Sequence, residues 1–465
     1  MLVRDKSFYS TFLTLTTMMA AQNLLSFGVN LADNIMLGRY SETSLAAAAL
    51  VNQVQYLLHM ISVAGIGTGA LAMVSQYWGK GEIDPIRRII ALATKFAMVT
   101  GLIFFAATYF FPENVLGLFT DHEGVKAEGL RYLRIMCFTY LTFPLQSALV
   151  MSLRGIRTVN IGPIVSIIGL ITSVTSNYML IFGNWGAPEL GIRGAAIGSL
   201  TARLVELTIV LVYVRLVDKK LHLKLLSFFK PDTGYLRDFS KAAFPVIASG
   251  ASWGIGVSMQ LAILGRLGES VIAANSITAV VYQVVAVYAF GSCTSSSVMM
   301  GNLVGAGKTH LVRPYTRTFQ LLFIINGLFT GLLLFLLRDF ILGLYILTPD
   351  TRAIARSFIT LLSFTVIFSA YEFPVQSGII LGGGNTRYAF IVDTLFIWLV
   401  TLPFSALSAF VWKFPPIVTF MFLKSDQILK CIPNSIVVNR YRWVRSLTRD
   451  SGAAADPERL PNESS

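Results

Sequence analysis

Charged side chains are scarce in this sequence. They make up 13% of the 465 residues, and hydrophobic residues make up 54%, whereas ordinary soluble domains carry about 25% charged residues. A mean hydropathy of +0.66 is too high for a single buried core, because it requires most of the chain to face hydrocarbon. The composition therefore excludes an ordinary soluble domain and predicts a polytopic membrane protein.

Cysteine is also rare. Cys137, Cys293 and Cys431 lie far apart in apolar segments, which excludes a disulfide framework and a metal-binding cysteine cluster. The formal net charge of +13 comes from Lys and Arg in short loops, and no basic helix is interleaved with aromatic residues, so we expect no nucleic-acid partner. The sequence shows no hydrolase triad, zinc motif or paired-carboxylate signature, and we predict that the chain is not an enzyme and needs no cofactor.

Long apolar segments dominate what is present. A membrane-spanning helix needs about 20 apolar residues, and the sequence holds twelve segments of this kind. We therefore predict an all-α membrane protein with twelve transmembrane helices, at residues 11–36, 48–75, 89–111, 131–152, 160–182, 194–216, 242–264, 273–300, 316–337, 354–381, 388–411 and 414–438.

The loops between these segments alternate between cation-rich and cation-poor. The rich set includes the loop with Lys80, Arg87 and Arg88 and the C-terminal stretch from Arg440 to Arg449. Because cytoplasmic loops carry an excess of Lys and Arg, we expect both termini in the cytoplasm and the protein in the cell membrane. The first apolar run is too long for a signal peptide and is predicted to be the first span.

An internal repeat divides the chain into two halves. Leu37-Gly38-Arg39 recurs as Leu264-Gly265-Arg266 at an offset of 227 residues. Six predicted spans precede and six follow the polar stretch between the halves, which gives both halves the same orientation, as in transporters built from parallel repeats with a substrate site between them. We predict two pseudo-symmetric six-helix lobes, with the four regions 1–216 (N-terminal lobe), 217–241 (cytoplasmic linker), 242–440 (C-terminal lobe) and 441–465 (cytoplasmic tail).

A carboxylate lies inside the first apolar segment. Asp33 has Asn30 and Asn34 close by on the predicted helix. An ionisable group inside a membrane segment is expensive and marks a functional site by default. The alternative is a carboxylate at the membrane rim that is solvated or paired with Arg39.

Several motifs resemble the multidrug and toxic compound extrusion (MATE) transporters. The stretch from Asp33 to Arg39, followed by Ser44-Leu45-Ala46-Ala47-Ala48, is similar to the first-span signature of that family. Residues 264–275 resemble its second-half counterpart. The turn Leu153-Arg154-Gly155 and residues 378–387 resemble the turns after spans 4 and 10, and residues 186–191 resemble the loop between spans 5 and 6. The resemblance covers about residues 10–445.

The resemblance implies an antiporter that exchanges H⁺ or Na⁺ for cationic, amphipathic compounds. The family's first-span acid matches Asp33, its fifth-span cation-site positions match Asn177 and Ser173, and a threonine of its sixth span corresponds to Ser199. A span-7 glutamate of many members is replaced here by Trp253, which favours a single coupling site in the first half. Neutral oxygens beside Asp33 suit Na⁺, but an asparagine at position 177 makes the site weaker for Na⁺ and favours H⁺.

A second group of residues is predicted to line a substrate cavity. Each has a structural alternative: Glu372 can stabilise a proline-broken helix, Trp253 can fill space, and His59 can be a hydrogen-bonded interior histidine. The group is Glu372, Trp253, Gln53, His59, Gln260, Asn275 and Gln283.

Five further charged residues remain open to more than one interpretation. Arg203 and Glu206, three residues apart on span 6, are expected to form a structural pair. Asp393 has no assigned role, and Lys424 and Asp426 do not share a helical face.

The function predicted from the sequence is export of cationic or amphipathic drugs in exchange for H⁺ or Na⁺ by a membrane-embedded monomer. Two alternatives remain. A lipid-linked oligosaccharide flippase of the same superfamily would need a strongly cationic cavity, and an intramembrane lipid-modifying enzyme would need a clustered acid–base or nucleophile constellation.

Overall fold

The computed structural model describes residues 2–120, 122–218, 220–223, 234–345 and 347–449, and these are helical apart from short turns and loops. Helices dominate because each satisfies its backbone hydrogen bonds internally, as hydrocarbon requires. In chain order they are α1 (Lys6–Tyr40), α2 (Glu42–His59), α3 (Thr68–Lys80), α4 (Ile83–Phe110), α5 (Pro112–Gly117), α6 (Glu123–Met136), α7 (Thr139–Gly155), α8 (Ile161–Phe182), α9 (Ile192–Val212), α10 (Leu236–Gly265), α11 (Glu269–Val285), α12 (Val287–Gly305), α13 (Val312–Gly343), α14 (Pro349–Phe373), α15 (Thr386–Leu395), α16 (Leu402–Ala406), α17 (Pro416–Leu423), α18 (Ser425–Leu429) and α19 (Cys431–Arg440).

The described chain contains nine continuous helical stretches that are long and apolar enough to cross a membrane. Two bent pairs, α6 with α7 at 52° and α11 with α12 at 43°, raise the number to as many as eleven. The all-α membrane fold is therefore confirmed. The twelfth predicted segment, 414–438, is broken into α17, α18 and α19 near Lys424 and Lys430, and the count of twelve spans stays a prediction.

Several long helices contain a π-helical stretch. One joins α2 to α3 over Met60–Gly67, and another extends α14 over Pro374–Ile380. Proline lacks the backbone N–H that continues an α-helix, which explains why α14 changes its winding at Pro374. Stretches of this kind occur often at functional sites, and Glu372 lies two residues before this one.

The described residues form two compact units, each treated separately below. The N-terminal unit comprises residues 21–74 and 82–247, and the C-terminal unit comprises residues 2–20, 75–81 and 248–449. The predicted lobe boundaries stay a prediction, as does the linker, of which residues 219 and 224–233 lie outside the described chain. The predicted tail lies outside it from residue 450 onward.

Each unit has its own apolar core. In the N-terminal unit α1, α2, α6, α7, α8 and α9 bury a cluster that includes Leu37, Val51 and Ile181. Leu37 follows Asp33 by one helical turn and is 1% exposed, so burial of this face fixes the side of α1 on which Asp33 projects. In the C-terminal unit, Phe358 of α14 stacks on Phe420 of α17 at a centroid distance of 4.1 Å.

Candidate functional site

Asp33 is held by two side chains of α8. Its Oδ1 atom accepts a hydrogen bond of 2.6 Å from Asn177 Nδ2 and one of 3.0 Å from Ser173 Oγ. Ser173 and Asn177 are four residues apart and therefore share one face of the helix, and both are fully buried. Three of the four residues predicted for cation coupling are thus in direct contact. In the described chain Asp33 forms no ion pair with Arg39, so the alternative of an Arg39-paired carboxylate is wrong.

Helix α9 packs closely against the Asp33 site at Gly198. A Cβ atom at Gly198 would overlap with Asn177 Oδ1, so only glycine allows α9 to approach α8 this closely. Asn177 Oδ1 is buried and accepts no hydrogen bond from the described residues. Ser199, the fourth predicted coupling residue, follows Gly198 on α9, and its hydroxyl lies near the Tyr132 phenol of α6. Its role in cation coupling stays a prediction.

A buried ion pair lies on α9. Arg203 Nη1 is 2.8 Å from Glu206 Oε2, and Glu206 is 6% exposed. The predicted pairing of these residues is confirmed. The Arg203 guanidinium also lies 5.1 Å from the centre of the Phe143 ring, in a cation–π contact. The His59 ring also stacks on Phe143, with the two ring centres 5.7 Å apart.

The His59 side chain makes no hydrogen bond among the described residues, and its ring stacks on Phe143. Whether His59 is a cavity residue or a structural histidine stays a prediction. An exposed ring at the end of α2 remains compatible with the predicted cavity.

The C-terminal unit contains a second buried charge cluster. Lys430 Nζ is 2.9 Å from Asp393 Oδ1 and 3.4 Å from Asp426 Oδ2. Asp393 also accepts a hydrogen bond of 2.6 Å from Ser249 Oγ and one of 2.8 Å from Gln376 Nε2. Lys430 is 1% exposed. The cluster therefore ties the last helices of the chain to α10, α15 and the π-helical stretch after α14.

Glu372 and Trp253 lie beside this cluster. The Trp253 ring centre is 5.3 Å from Lys430 Nζ, which makes a cation–π contact. Glu372 is 7% exposed, and its carboxylate interacts electrostatically with Lys430. No hydrogen bond to the Glu372 carboxylate is present among the described residues. Glu372 and Trp253, two of the predicted cavity residues, thus lie beside a charged cluster that was not among the sequence predictions.

The other predicted cavity residues are dispersed. Gln53 belongs to the N-terminal unit and is exposed, Gln283 belongs to the C-terminal unit and is exposed, and Gln260 and Asn275 are partly exposed residues of the C-terminal unit. Within each unit no hydrogen bond joins them in the described chain, and the cavity stays a prediction.

Lys430 is the residue that sequence reasoning missed. Its spacing of four residues from Asp426 places both on one face of a helix, and this spacing was available from the sequence. The pairing with Asp393, 37 residues away, has no local signal.

Long apolar helices that carry buried carboxylates define the class of protein as a membrane transporter, because such groups mark substrate and ion pathways. The model of the MatE family matches residues 19–179 and 245–407. This is more than half of the chain, which therefore belongs to the MatE family of transporters and is not an enzyme.

Relatives and solved structures agree with this assignment. The chain is 24% identical over 383 residues to the probable multidrug resistance protein NorM of Thermotoga maritima, covering 82% of each chain. It is 23% identical over 405 residues to the multidrug resistance protein NorM of Vibrio vulnificus, covering 86% of this chain and 87% of the relative.

The fold matches that of solved MATE structures. A variant of the Vibrio cholerae MATE transporter VcmN superimposes with a TM-score of 0.85 at 16% identity, over 95% of this chain and 98% of that one. An outward-facing multidrug resistance MATE family transporter of the MOP superfamily gives a TM-score of 0.83 at 15% identity, over 92% and 95% of the two chains.

Proposed function

We propose that this transporter exports cationic or amphipathic organic compounds in exchange for protons, and that Asp33 is the group that carries the proton. The observation that carries the proposal is the contact of the Asp33 carboxylate with Ser173 and Asn177. The names of the curated relatives, which are multidrug resistance proteins, support the substrate class.

A partly buried carboxylate is suited to bind and release a proton. Burial in an apolar environment disfavours the charged form, whereas hydrogen bonds from neighbouring donors favour it. Both burial and hydrogen bonding act on Asp33. Its carboxylate lies on an apolar helix, and its Oδ1 atom accepts hydrogen bonds from Ser173 and Asn177. Each protonation state of Asp33 is therefore favoured by one feature of its surroundings.

The type of ligand atom favours H⁺ over Na⁺. A hard cation such as Na⁺ prefers oxygen ligands, but Asn177 presents its Nδ2 atom to Asp33. Coordination of Na⁺ by this side chain would require the amide to rotate so that Oδ1 faces the carboxylate. Asp33 is also the sole acid in contact with Ser173 and Asn177 among the described residues, so the site offers one negative charge.

Coupling requires that the proton and the organic compound favour different conformations of the transporter. We propose that protonation of Asp33 from outside weakens the compound-bound state, so that the compound leaves. The protonated carrier then opens inward, releases the proton and binds the next molecule. This order links each inward proton to the outward movement of an organic compound.

The substrate cavity is proposed to include Glu372 and Trp253, with Gln53, His59, Gln260, Asn275 and Gln283 as further lining residues. Carboxylates attract organic cations, and aromatic rings bind them through cation–π contacts. The three acids Glu372, Asp393 and Asp426 outnumber Lys430 in the C-terminal cluster. This balance argues against the flippase alternative, which needs a cationic cavity.

The proposed setting is the cell membrane, with both termini cytoplasmic and the transporter acting as a monomer. Transport is tested with purified protein in liposomes that hold a fluorescent organic cation, under a pH gradient or a Na⁺ gradient imposed separately. We expect the pH gradient alone to drive movement of the cation. Transport that responds to the Na⁺ gradient alone would contradict the proton coupling.

A further inference from the structure

The Arg203–Glu206 pair is placed where a charge is costly. Both residues lie on α9, a helix that is apolar enough to cross a membrane, and Glu206 is 6% exposed. A buried ion pair loses much of its hydration and is weak evidence for stabilisation. Its position therefore calls for an explanation other than stability.

Glu206 and Asp33 contact the same face of α8. A Cβ atom at Gly169 would overlap with Glu206 Oε1, and Gly169 precedes Ser173 by one helical turn, while Ser173 donates to Asp33. Four helical residues span about 6 Å along the axis. The two carboxylates are thus arranged along one stripe of α8, with the glycine providing space for Glu206.

The Arg203 guanidinium is the counter-ion of Glu206. It pairs directly with Glu206 at 2.8 Å, and the Glu206 carboxylate lies one turn of α8 away from Ser173, which donates to Asp33. The guanidinium carbon of Arg203 also lies 5.1 Å from the centre of the Phe143 ring. With its side chain 28% exposed, Arg203 has more freedom than Glu206 to change partner.

We propose that Arg203 is a counter-ion shared between Glu206 and Asp33, and that it makes the Asp33 site selective for protons over Na⁺. This inference rests on the proposed function and names the positioning residue of the same site. A proton binds covalently to a carboxylate oxygen and needs no ligand shell. A Na⁺ ion beside Asp33 is repelled by the guanidinium, because like charges disfavour each other at close range.

In this proposal Arg203 changes its partner when Asp33 gains or loses its proton. When Asp33 holds its proton, the O–H bond neutralises the carboxylate and Arg203 pairs with Glu206. When the O–H bond breaks and the proton passes to water on the inner side of the membrane, the negative charge left on Asp33 attracts the guanidinium. The titratable or charged groups around this exchange are Asp33 on α1, His59 on α2, Tyr132 on α6, and Arg203 and Glu206 on α9.

Two neutral variants of the pair separate this role from a structural one. In Glu206→Gln the guanidinium has one carboxylate left, so it keeps Asp33 ionised and the pH of half-maximal transport falls by about 1 unit. In Arg203→Gln that pH rises, and a Na⁺ gradient begins to drive transport. The double variant returns towards the wild-type profile, and Arg203→Lys retains the resistance to Na⁺.

The assay measures initial rates of organic-cation transport in liposomes across a range of pH and with Na⁺ gradients, next to melting temperatures in detergent. The exposed pair of the same unit, Arg131 and Glu128 at 2.6 Å, provides the control variant Arg131→Gln, which we expect to leave the pH profile unchanged. If Glu206→Gln does not fold, the opposite shift and new Na⁺ response of Arg203→Gln still decide the question.

A structural ion pair predicts a different result. Both single variants would then lower the melting temperature and the rate together, with no opposite shifts in pH profile and no response to Na⁺, and this outcome would overturn the proposal. Failure of the proposed function is distinguishable, because in that case wild-type transport would not follow the pH gradient at all.

Discussion

Lys430 and Asp393 form an ion pair of 2.9 Å in which the lysine side chain is 2% exposed and the aspartate side chain 13% exposed. Asp426 contacts the same ammonium group at 3.4 Å. Two carboxylates from different helices therefore share one buried cation. Removal of that cation leaves buried negative charges without a partner, which is one of the most destabilising changes available to a protein.

Lys430→Met is expected to lower the free energy of unfolding by about 3–5 kcal/mol. Thermal and denaturant unfolding of the detergent-solubilised protein measure the effect. The exposed Lys308 gives the control Lys308→Met, which should be neutral. Because Asp393→Asn removes one of the unpaired buried negative charges, the double variant Lys430→Met/Asp393→Asn should recover part of the lost free energy of unfolding. A Lys430→Met protein as stable as the control would show that the cluster is not a structural clamp.

Gly198→Ala tests the close approach of α9 to Asn177. The added Cβ atom would overlap with Asn177 Oδ1, which displaces the amide and breaks its hydrogen bond to Asp33. We expect a stability loss of about 1–3 kcal/mol from overpacking and slower proton-coupled transport. Gly28→Ala is the control, since nothing lies within 4 Å of a Cβ there. Equal rates for the two variants would argue against a role for the Asn177 contact.

Asn177→Asp adds a second acid to the Asp33 site. Asn177 Nδ2 and Asp33 Oδ1 are 2.6 Å apart, so two carboxylates would face each other and attract a cation that compensates the additional charge. We expect transport by this variant to gain a response to a Na⁺ gradient, measured in liposomes at equal pH on both sides. No gain of Na⁺ response would refute the idea that the asparagine disfavours Na⁺.

Glu372→Gln separates binding from folding in the C-terminal cluster. The Glu372 carboxylate accepts no hydrogen bond in the described chain, so a neutral side chain of the same shape should leave the melting temperature near that of the wild type. If Glu372 attracts organic cations, transport of cationic compounds falls while that of neutral amphipathic compounds persists. An equal effect on both substrate classes would exclude an electrostatic role in binding.

The sequence predicted the helical fold because hydropathy depends on composition along the chain. It also predicted the contacts of Asp33, since the motifs resembled those of a known family and spacings of four residues on α8 place Ser173 and Asn177 on one face. The hydrogen bond between Asn177 and Asp33 joins residues that are 144 positions apart in the sequence. Composition and periodicity alone do not give pairings over that distance.

Other features had no local signal. The pairing of Lys430, which lies at the break between α18 and α19, depends on partners on α15 and α18. The stacking of His59 on Phe143 depends on how α2 packs against α7. The approach of Gly198 to Asn177 depends on helix packing. Each of these is a tertiary relationship, and sequence patterns specify such relationships weakly.

The most direct test of the account concerns the proton that Asp33 is proposed to carry. Liposomes that contain purified protein and an internal pH-sensitive dye are given an organic cation from outside, and proton movement is recorded per molecule transported. Wild-type protein and Glu42→Gln, which alters an exposed acid, should move protons out as the cation enters. We predict that Asp33→Asn abolishes this exchange, and an Asp33→Asn protein that exchanges as many protons per molecule as the wild type would contradict the account.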